Sequence, residues 1–99
     1  MTQYAKIEIK ETMTVPGTTL TAHITVKNDN IHVMSFGTVE TQVEVASYVA
    51  DYYHTVVVAE FNGTYMSIYP GIYMDVKAKE LETNRFKALI NAKNKSVTT

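Results

Sequence analysis

The chain has 99 residues, a length that suits one domain with a single hydrophobic core. It contains no cysteine, which excludes disulfide scaffolds, cysteine nucleophiles and thiolate zinc sites. Nine Lys and Arg residues against ten Asp and Glu residues give a formal charge of −1. That balance argues against a strongly basic nucleic-acid binder and against a polyacidic DNA mimic.

The first third of the chain alternates apolar and polar residues as strands do. Twelve Val, seven Ile and fourteen Thr against three Leu favour pleated structure. Period-two alternation predicts a first strand over 4–10, and a Pro-Gly turn signal indicates that 11–18 is a loop. Alternation over 20–27, a polar turn at 28–30 and a returning run over 31–36 predict an antiparallel hairpin.

Two registers are open for that hairpin. A three-residue loop pairs Val26 with His32, whereas a two-residue loop pairs Val26 with Ile31. A shift of one residue exchanges the two faces of a strand, so the sequence leaves open whether His32 or Val33 points inward.

The segment 38–54 is predicted to be the first helix, with Thr38 as its N-cap. Alternation over 38–45 supports a strand as the rival interpretation. The helix is favoured because the apolar pattern continues to Tyr53 only at a period of 3.6 residues.

A β-meander is predicted to follow the first helix. Strands over 55–61 and 64–69 flank Asn62-Gly63, a strong signal for a two-residue hairpin. A Pro-Gly turn then leads to a third alternating segment over 72–78, which we also predict to be a strand.

A second helix is predicted over 79–94. The order is then β-β-β-α-β-β-β-α, which indicates an α+β fold: a mainly antiparallel sheet of about six strands with two helices packed on one face. We expect residues 1–99 to form one domain, with a frayed polar tail over about 95–99.

The chain shows no pattern of catalytic or metal-binding residues. The histidines, His23, His32 and His54, lack metal-ligand spacing. The serines have no G-x-S-x-G context, and the glycines fall at predicted turns or element ends rather than in a phosphate-binding loop. We therefore expect no enzymatic activity, no metal and no cofactor. No targeting or membrane-spanning segment is visible, which favours a cytoplasmic location.

Charges and tyrosines are unevenly distributed along the chain. The interval 28–76 has no Lys or Arg and a formal charge of −6, whereas 77–99 carries +4. Six of the seven tyrosines lie in the acidic interval. If Met66 and Ile68 face the helices, then Tyr65, Tyr69 and Tyr73 lie on the outer face of the sheet.

Tyrosines are frequent binding anchors, and acidic neighbours attract a basic partner. We therefore predict a partner-binding surface formed by acidic and tyrosine side chains of this interval: Glu40, Glu44, Tyr48, Asp51, Tyr65, Tyr69, Tyr73 and Asp75.

The leading hypothesis is a non-enzymatic protein-binding module that docks on a basic surface of a partner. Because basic surfaces commonly bind nucleic acids, its sharpest form is an inhibitor of a nucleic-acid-handling protein. In its small size, lack of cysteine and abundance of Asn, Lys and Thr, the chain resembles the accessory proteins of bacteriophages, anti-CRISPR proteins among them. That resemblance implies an inhibitor acting in the host cytoplasm.

Two alternatives accompany this hypothesis. One is a homo-oligomeric structural or assembly protein, in which tyrosines and unpaired strand edges contact other copies. The other is a weak nucleic-acid binder that uses its basic C-terminal helix, which the near-neutral total charge disfavours.

Overall fold

The structure, a computed structural model, describes residues 8–98, with side chains through residue 94. An α+β domain of five strands and two helices forms over this range. Its elements are β1 (Thr12–Thr14), β2 (Thr21–Lys27), β3 (Asn30–Met34), α1 (Val39–Tyr53), β4 (Val57–Phe61), β5 (Thr64–Ile68) and α2 (Val76–Thr98).

The strands form one mixed sheet in the order β1-β2-β3-β4-β5. Short connections join β1 to β2, β2 to β3 and β4 to β5, and these three pairs are antiparallel. Strands β3 and β4 are parallel because α1 crosses over between them. The sheet is mainly antiparallel, as predicted, with one parallel pair, β3 and β4. The predicted number of about six strands is corrected to five within residues 8–98.

The β2–β3 hairpin adopts the two-residue register. Asn28 and Asp29 form its turn with φ values of 51° and 65°, which asparagine and aspartate tolerate better than most residues. Val26 consequently pairs with Ile31, and His32 pairs with Thr25. Ile31 therefore faces the helices, and His32 faces the opposite side of the sheet.

The prediction of a helix after β3 is confirmed, and its rival, a strand over 38–45, is wrong. The Thr38 side chain accepts a hydrogen bond from the Thr41 backbone N–H and caps the first turn. His54 ends the helix in the left-handed conformation, with its backbone N–H donating to the Ala50 carbonyl.

The prediction of a strand over 72–78 is wrong. Turns occupy this segment until α2 begins at Val76. Asp75 sets this start, because its Oδ1 accepts a hydrogen bond from the Ala78 backbone N–H at 3.0 Å. Alternation over so few residues does not outweigh an N-terminal cap followed by a long run of helix-forming residues. The helix also continues to Thr98, beyond the predicted end at 94.

The first predicted strand also requires correction. Residues 8–10 are not in a strand, and residues 4–7 lie outside the described range. Strand β1 forms instead at Thr12–Thr14, within the segment predicted to be a loop, where Met13 pairs with Ala22. The edge of β2 supplies backbone partners there, and this tertiary effect is absent from local alternation.

The core lies between one face of the sheet and the two helices. Ile31, Val33, Val57 and Ala59 pack from adjacent strands against the buried side of α1. Phe86 of α2 is fully buried and meets Phe61, which shares the face of Val57 and Ala59, with ring centroids 6.4 Å apart. Both helices therefore cover the same face, and no element within residues 8–98 packs on the other.

Candidate protein-docking surface

The side of the sheet that no element within residues 8–98 covers presents a continuous surface, which we call the open face. Strand alternation places on it every second residue of all five strands. The burial pattern agrees, because the residues between them in each strand are buried, apart from Val26 and Phe61 near the strand ends. The open face consists of Thr12, Thr14, Thr21, His23, Thr25, Lys27, Asn30, His32, Met34, Val58, Glu60, Tyr65 and Ser67, with Phe36 just beyond β3.

Large side chains on the open face are accessible to a partner. Phe36 is 80% exposed, Tyr65 50% and Met34 43%. The His23 ring meets Phe36 edge-on with centroids 5.3 Å apart, and the His32 ring meets Tyr65 at 6.1 Å. These contacts restrict the ring orientations, so a partner meets partly ordered aromatic groups, which lose less conformational entropy on binding.

The composition of the open face matches the centre of a protein interface. Such centres are enriched in aromatic residues and methionine and depleted of charge. Lys27 and Glu60 are the only Lys, Arg, Asp or Glu side chains among its residues. The buried Nδ1 of His32 has no hydrogen-bond partner among the described residues.

The eight residues of the predicted partner-binding surface do not form one surface. Tyr65 lies on the open face, and Tyr69 follows β5 and is 58% exposed. The other six lie on α1 or in the connection to α2, on the helical side of the sheet: Glu40, Glu44, Tyr48, Asp51, Tyr73 and Asp75. Tyr65 and α1 lie on opposite sides of the sheet. The sheet therefore separates Tyr65 from the six residues on the helical side.

The expectation that Tyr73 lies on the outer face of the sheet beside Tyr65 is wrong. Met66 and Ile68 do face the helices, but the chain turns after β5 instead of continuing as a strand. Tyr73 consequently packs against Tyr48 of α1, with ring centroids 5.3 Å apart.

The acidic side chains of α1 are paired with lysines of α2. Glu44 Oε1 accepts a hydrogen bond from Lys79 Nζ at 2.7 Å, and Glu40 Oε2 accepts one from Lys87 Nζ at 2.7 Å. The Lys87 hydrogen bond lowers the pKa of the Glu40 carboxyl below its ordinary value. These pairs join the acidic interval to the basic segment and reduce the negative potential that either carboxylate presents to a partner.

The two aspartates of the predicted set orient the backbone. Asp51 Oδ1 accepts a hydrogen bond from the Gly71 backbone N–H at 2.7 Å, which ties the turn after β5 to α1. Asp75 caps α2. Both carboxylates thus have local structural roles in the connection between the sheet and α2.

The tyrosines of α1 form a cluster flanked by lysines. Tyr48 contacts Tyr73 and Tyr52, and Lys79 Nζ lies 5.2 Å from the centre of the Tyr73 ring. Lys10 Nζ lies 5.2 Å from the Tyr52 ring, and hydrogen bonding to Tyr52 raises the pKa of Lys10. Cation–π contacts of this kind stabilise an exposed aromatic surface modestly. They also place positive charge in what the sequence suggested was an acidic surface.

Sequence reasoning missed the residues that make the open face a candidate site. Met34, Phe36 and Val58 belong to no motif. The period-two alternation of β3 contained the signal, but the undetermined register of the hairpin concealed which face His32 and Met34 occupy.

Comparison with known proteins adds no functional assignment. No protein family matches the chain, and neither curated proteins nor solved structures show significant similarity to it. Within residues 8–98, no three His, Cys, Asp or Glu side chains are grouped so as to bind a metal ion. Neither helix in the described part of the chain is long and apolar enough to cross a membrane.

Proposed function

We propose that this protein is a non-enzymatic protein-binding module that docks through the open face of its sheet. One observation carries the proposal: an almost uncharged sheet face exposes Phe36, Tyr65 and Met34, while both helices pack on the opposite side. Exposed aromatic residues and methionine on one surface are typical of protein interfaces.

The open face suits a protein better than other ligands. A nucleic acid requires several cations to neutralise phosphates, and this face carries one lysine, Lys27. A small molecule requires a concave site that buries most of its surface. The two hollows at the edge of the open face, one beside Thr21, His23 and Phe36 and one beside Met34, Phe36 and Glu60, are open to solvent. A protein surface can contact exposed side chains spread over five strands at once.

The inhibitor hypothesis, in which an acidic tyrosine-bearing surface docks on a basic partner, has weaker support. Lys79 and Lys87 pair with Glu44 and Glu40, and the tyrosine cluster is flanked by cations at both ends. Its support rests on the exposure of Tyr52 and Tyr69, 46% and 58%. The open face has no comparable pairing of its large side chains with charges.

Site-specific photo-cross-linking tests the proposal. A photoreactive phenylalanine analogue is placed at Phe36 on the open face or, as a matched control, at Leu81 on α2, which is 64% exposed. In lysate of cells that express the protein, we expect a discrete protein adduct from position 36 and none from position 81.

The adduct must also disappear when Met34 and Tyr65 are both replaced by Ser, because docking at the open face depends on these anchors. Adducts only from position 81, adducts from neither position, or an adduct from position 36 that survives the double replacement would each contradict docking through the open face.

A further inference from the structure

We propose that the partner on the open face is a second copy of this chain, packed sheet against sheet about a two-fold axis. This inference rests on the proposed function and specifies its partner. The positions of the two charged residues on the open face, and the area of that face, carry it.

Lys27 and Glu60 occupy diagonally opposite positions about His32. Lys27 of β2 pairs with Asn30, two residues before His32 on the central strand. Val58 of β4 pairs with His32 in the parallel ladder, so Glu60 lies two residues further along that strand. The lysine and the glutamate thus lie on opposite sides of β3 and at opposite ends of the same diagonal.

This arrangement is self-complementary. In a face-to-face pair, a two-fold axis that lies between the sheets, passes over His32 and runs perpendicular to the diagonal brings Lys27 of each copy over Glu60 of the other. One symmetric interface therefore contains two identical ion pairs, as a closed two-fold dimer requires. Among the described side chains, neither Lys27 nor Glu60 has an ion-pair partner within its own chain.

The same axis places the apolar groups of the open face inside the interface. Met34, Val58 and Tyr65 lie between the two charged positions or beside them, and the His32 rings of the two copies meet near the axis. Packed sheets lie about 10 Å apart, so side chains of this size fill the space between them.

The area of the face is sufficient for a reversible dimer. Strands lie about 4.8 Å apart and advance about 3.3 Å per residue, so the five strands present roughly 400 Å² of flat area. Two copies bury roughly 800 Å² of flat area. Exposed rings such as Phe36 project from the sheet, so the accessible surface that is buried exceeds this flat area. The flat area alone lies below the roughly 1,000 Å² total of the smallest specific interfaces, and the projecting rings raise the buried surface toward that value, which is the size of a weak, transient interface. We therefore expect a dimer with a dissociation constant of roughly micromolar magnitude.

Charge exchange provides a sharp test. Sedimentation equilibrium at concentrations up to about 100 μM should show a dimer for the unmodified chain. Lys27→Glu and Glu60→Lys should each weaken dimerisation at least roughly tenfold, because each places like charges opposite one another. The double variant carrying both changes should dimerise again. Glu80→Lys on α2 is the matched control and should leave dimerisation unchanged.

Mixing the two single variants adds a test that a folding defect cannot imitate. A Lys27→Glu chain and a Glu60→Lys chain restore both opposite-charge pairs when they face each other, so the mixture should form a heterodimer that is tighter than the homodimer of either variant alone.

Three results would overturn the inference: a monomeric unmodified chain at about 100 μM, a dimer whose dissociation constant is unchanged by the single charge reversals, or a mixture that dimerises no more tightly than the single variants do alone. The proposed function fails separately. A monomer whose position 36 still cross-links to another protein through Met34 and Tyr65 remains a binding module, with a different partner.

Discussion

Replacing Gln42 with Met should remove a buried polar contact that joins the start of α1 to the end of β3. Gln42 is 1% exposed. Its Oε1 accepts a hydrogen bond from the Ser35 backbone N–H at 3.1 Å, and its Nε2 donates to the Ser35 carbonyl. Methionine has a similar volume, so the cavity contribution is small. Two buried backbone groups lose their partners, at a cost of about 1–3 kcal/mol each.

We therefore expect the free energy of unfolding to fall by about 2–6 kcal/mol, a large part of the 5–15 kcal/mol that is usual for domains. Urea unfolding followed by circular dichroism measures this change, with Glu80→Gln on exposed α2 surface as the control. An unchanged m value shows that the same transition is compared. A loss below about 0.5 kcal/mol for Gln42→Met would refute the reasoning, because a surface substitution has an effect of that size.

Three further predictions concern the two helices. Thr38→Ala removes the N-cap of α1 and should lower the free energy of unfolding by about 1 kcal/mol. Thr38→Ser keeps the hydroxyl and should retain most of this stability. Equal losses in the two variants would contradict the capping role. His54 has φ 53°, so His54→Gly should raise the melting temperature by relieving about 0.5–1 kcal/mol of left-handed strain, whereas His54→Ala should not. In Lys87→Met, the pKa of the Glu40 carboxyl should rise toward its ordinary value of 4.5. A titration of the carboxyl carbon followed by NMR measures this change. Because the pKa of Glu40 is lowered in the folded state, the pair stabilises the fold at pH values above 4.5, and this contribution is lost as the pH falls through the lowered pKa. A Glu40 pKa that is the same in Lys87→Met and in the unmodified chain would refute the pairing.

Elements with strong local signals were predictable from the sequence. Thr38 as a cap, the apolar period of α1, and Asn62-Gly63 as a hairpin turn are properties of neighbouring residues, and the structure contains each of them. Asn62 and Gly63 have φ values of 49° and 81°, which few other residue pairs adopt readily.

Elements that depend on a distant partner were not predictable. Strand β1 exists because the edge of β2 provides backbone partners, and the parallel pairing of β3 with β4 depends on where α1 packs. The segment 72–78 alternates as a strand does, but the Asp75 cap and the packing of Phe86 make its end helical. Secondary structure in such segments follows from tertiary contacts more than from propensity.

The candidate site shows the same division. The sequence by itself determined that tyrosines and acids concentrate in 28–76 and that the compensating cations follow them. Only the tertiary structure decided that Lys79 and Lys87 meet Glu44 and Glu40, across 35 and 47 positions of the chain. It also decided which side of the sheet the helices cover, and hence that His32, Met34 and Phe36 share an open face. The physical reason is that charge composition is a property of the chain, whereas pairing and exposure depend on which surfaces pack together.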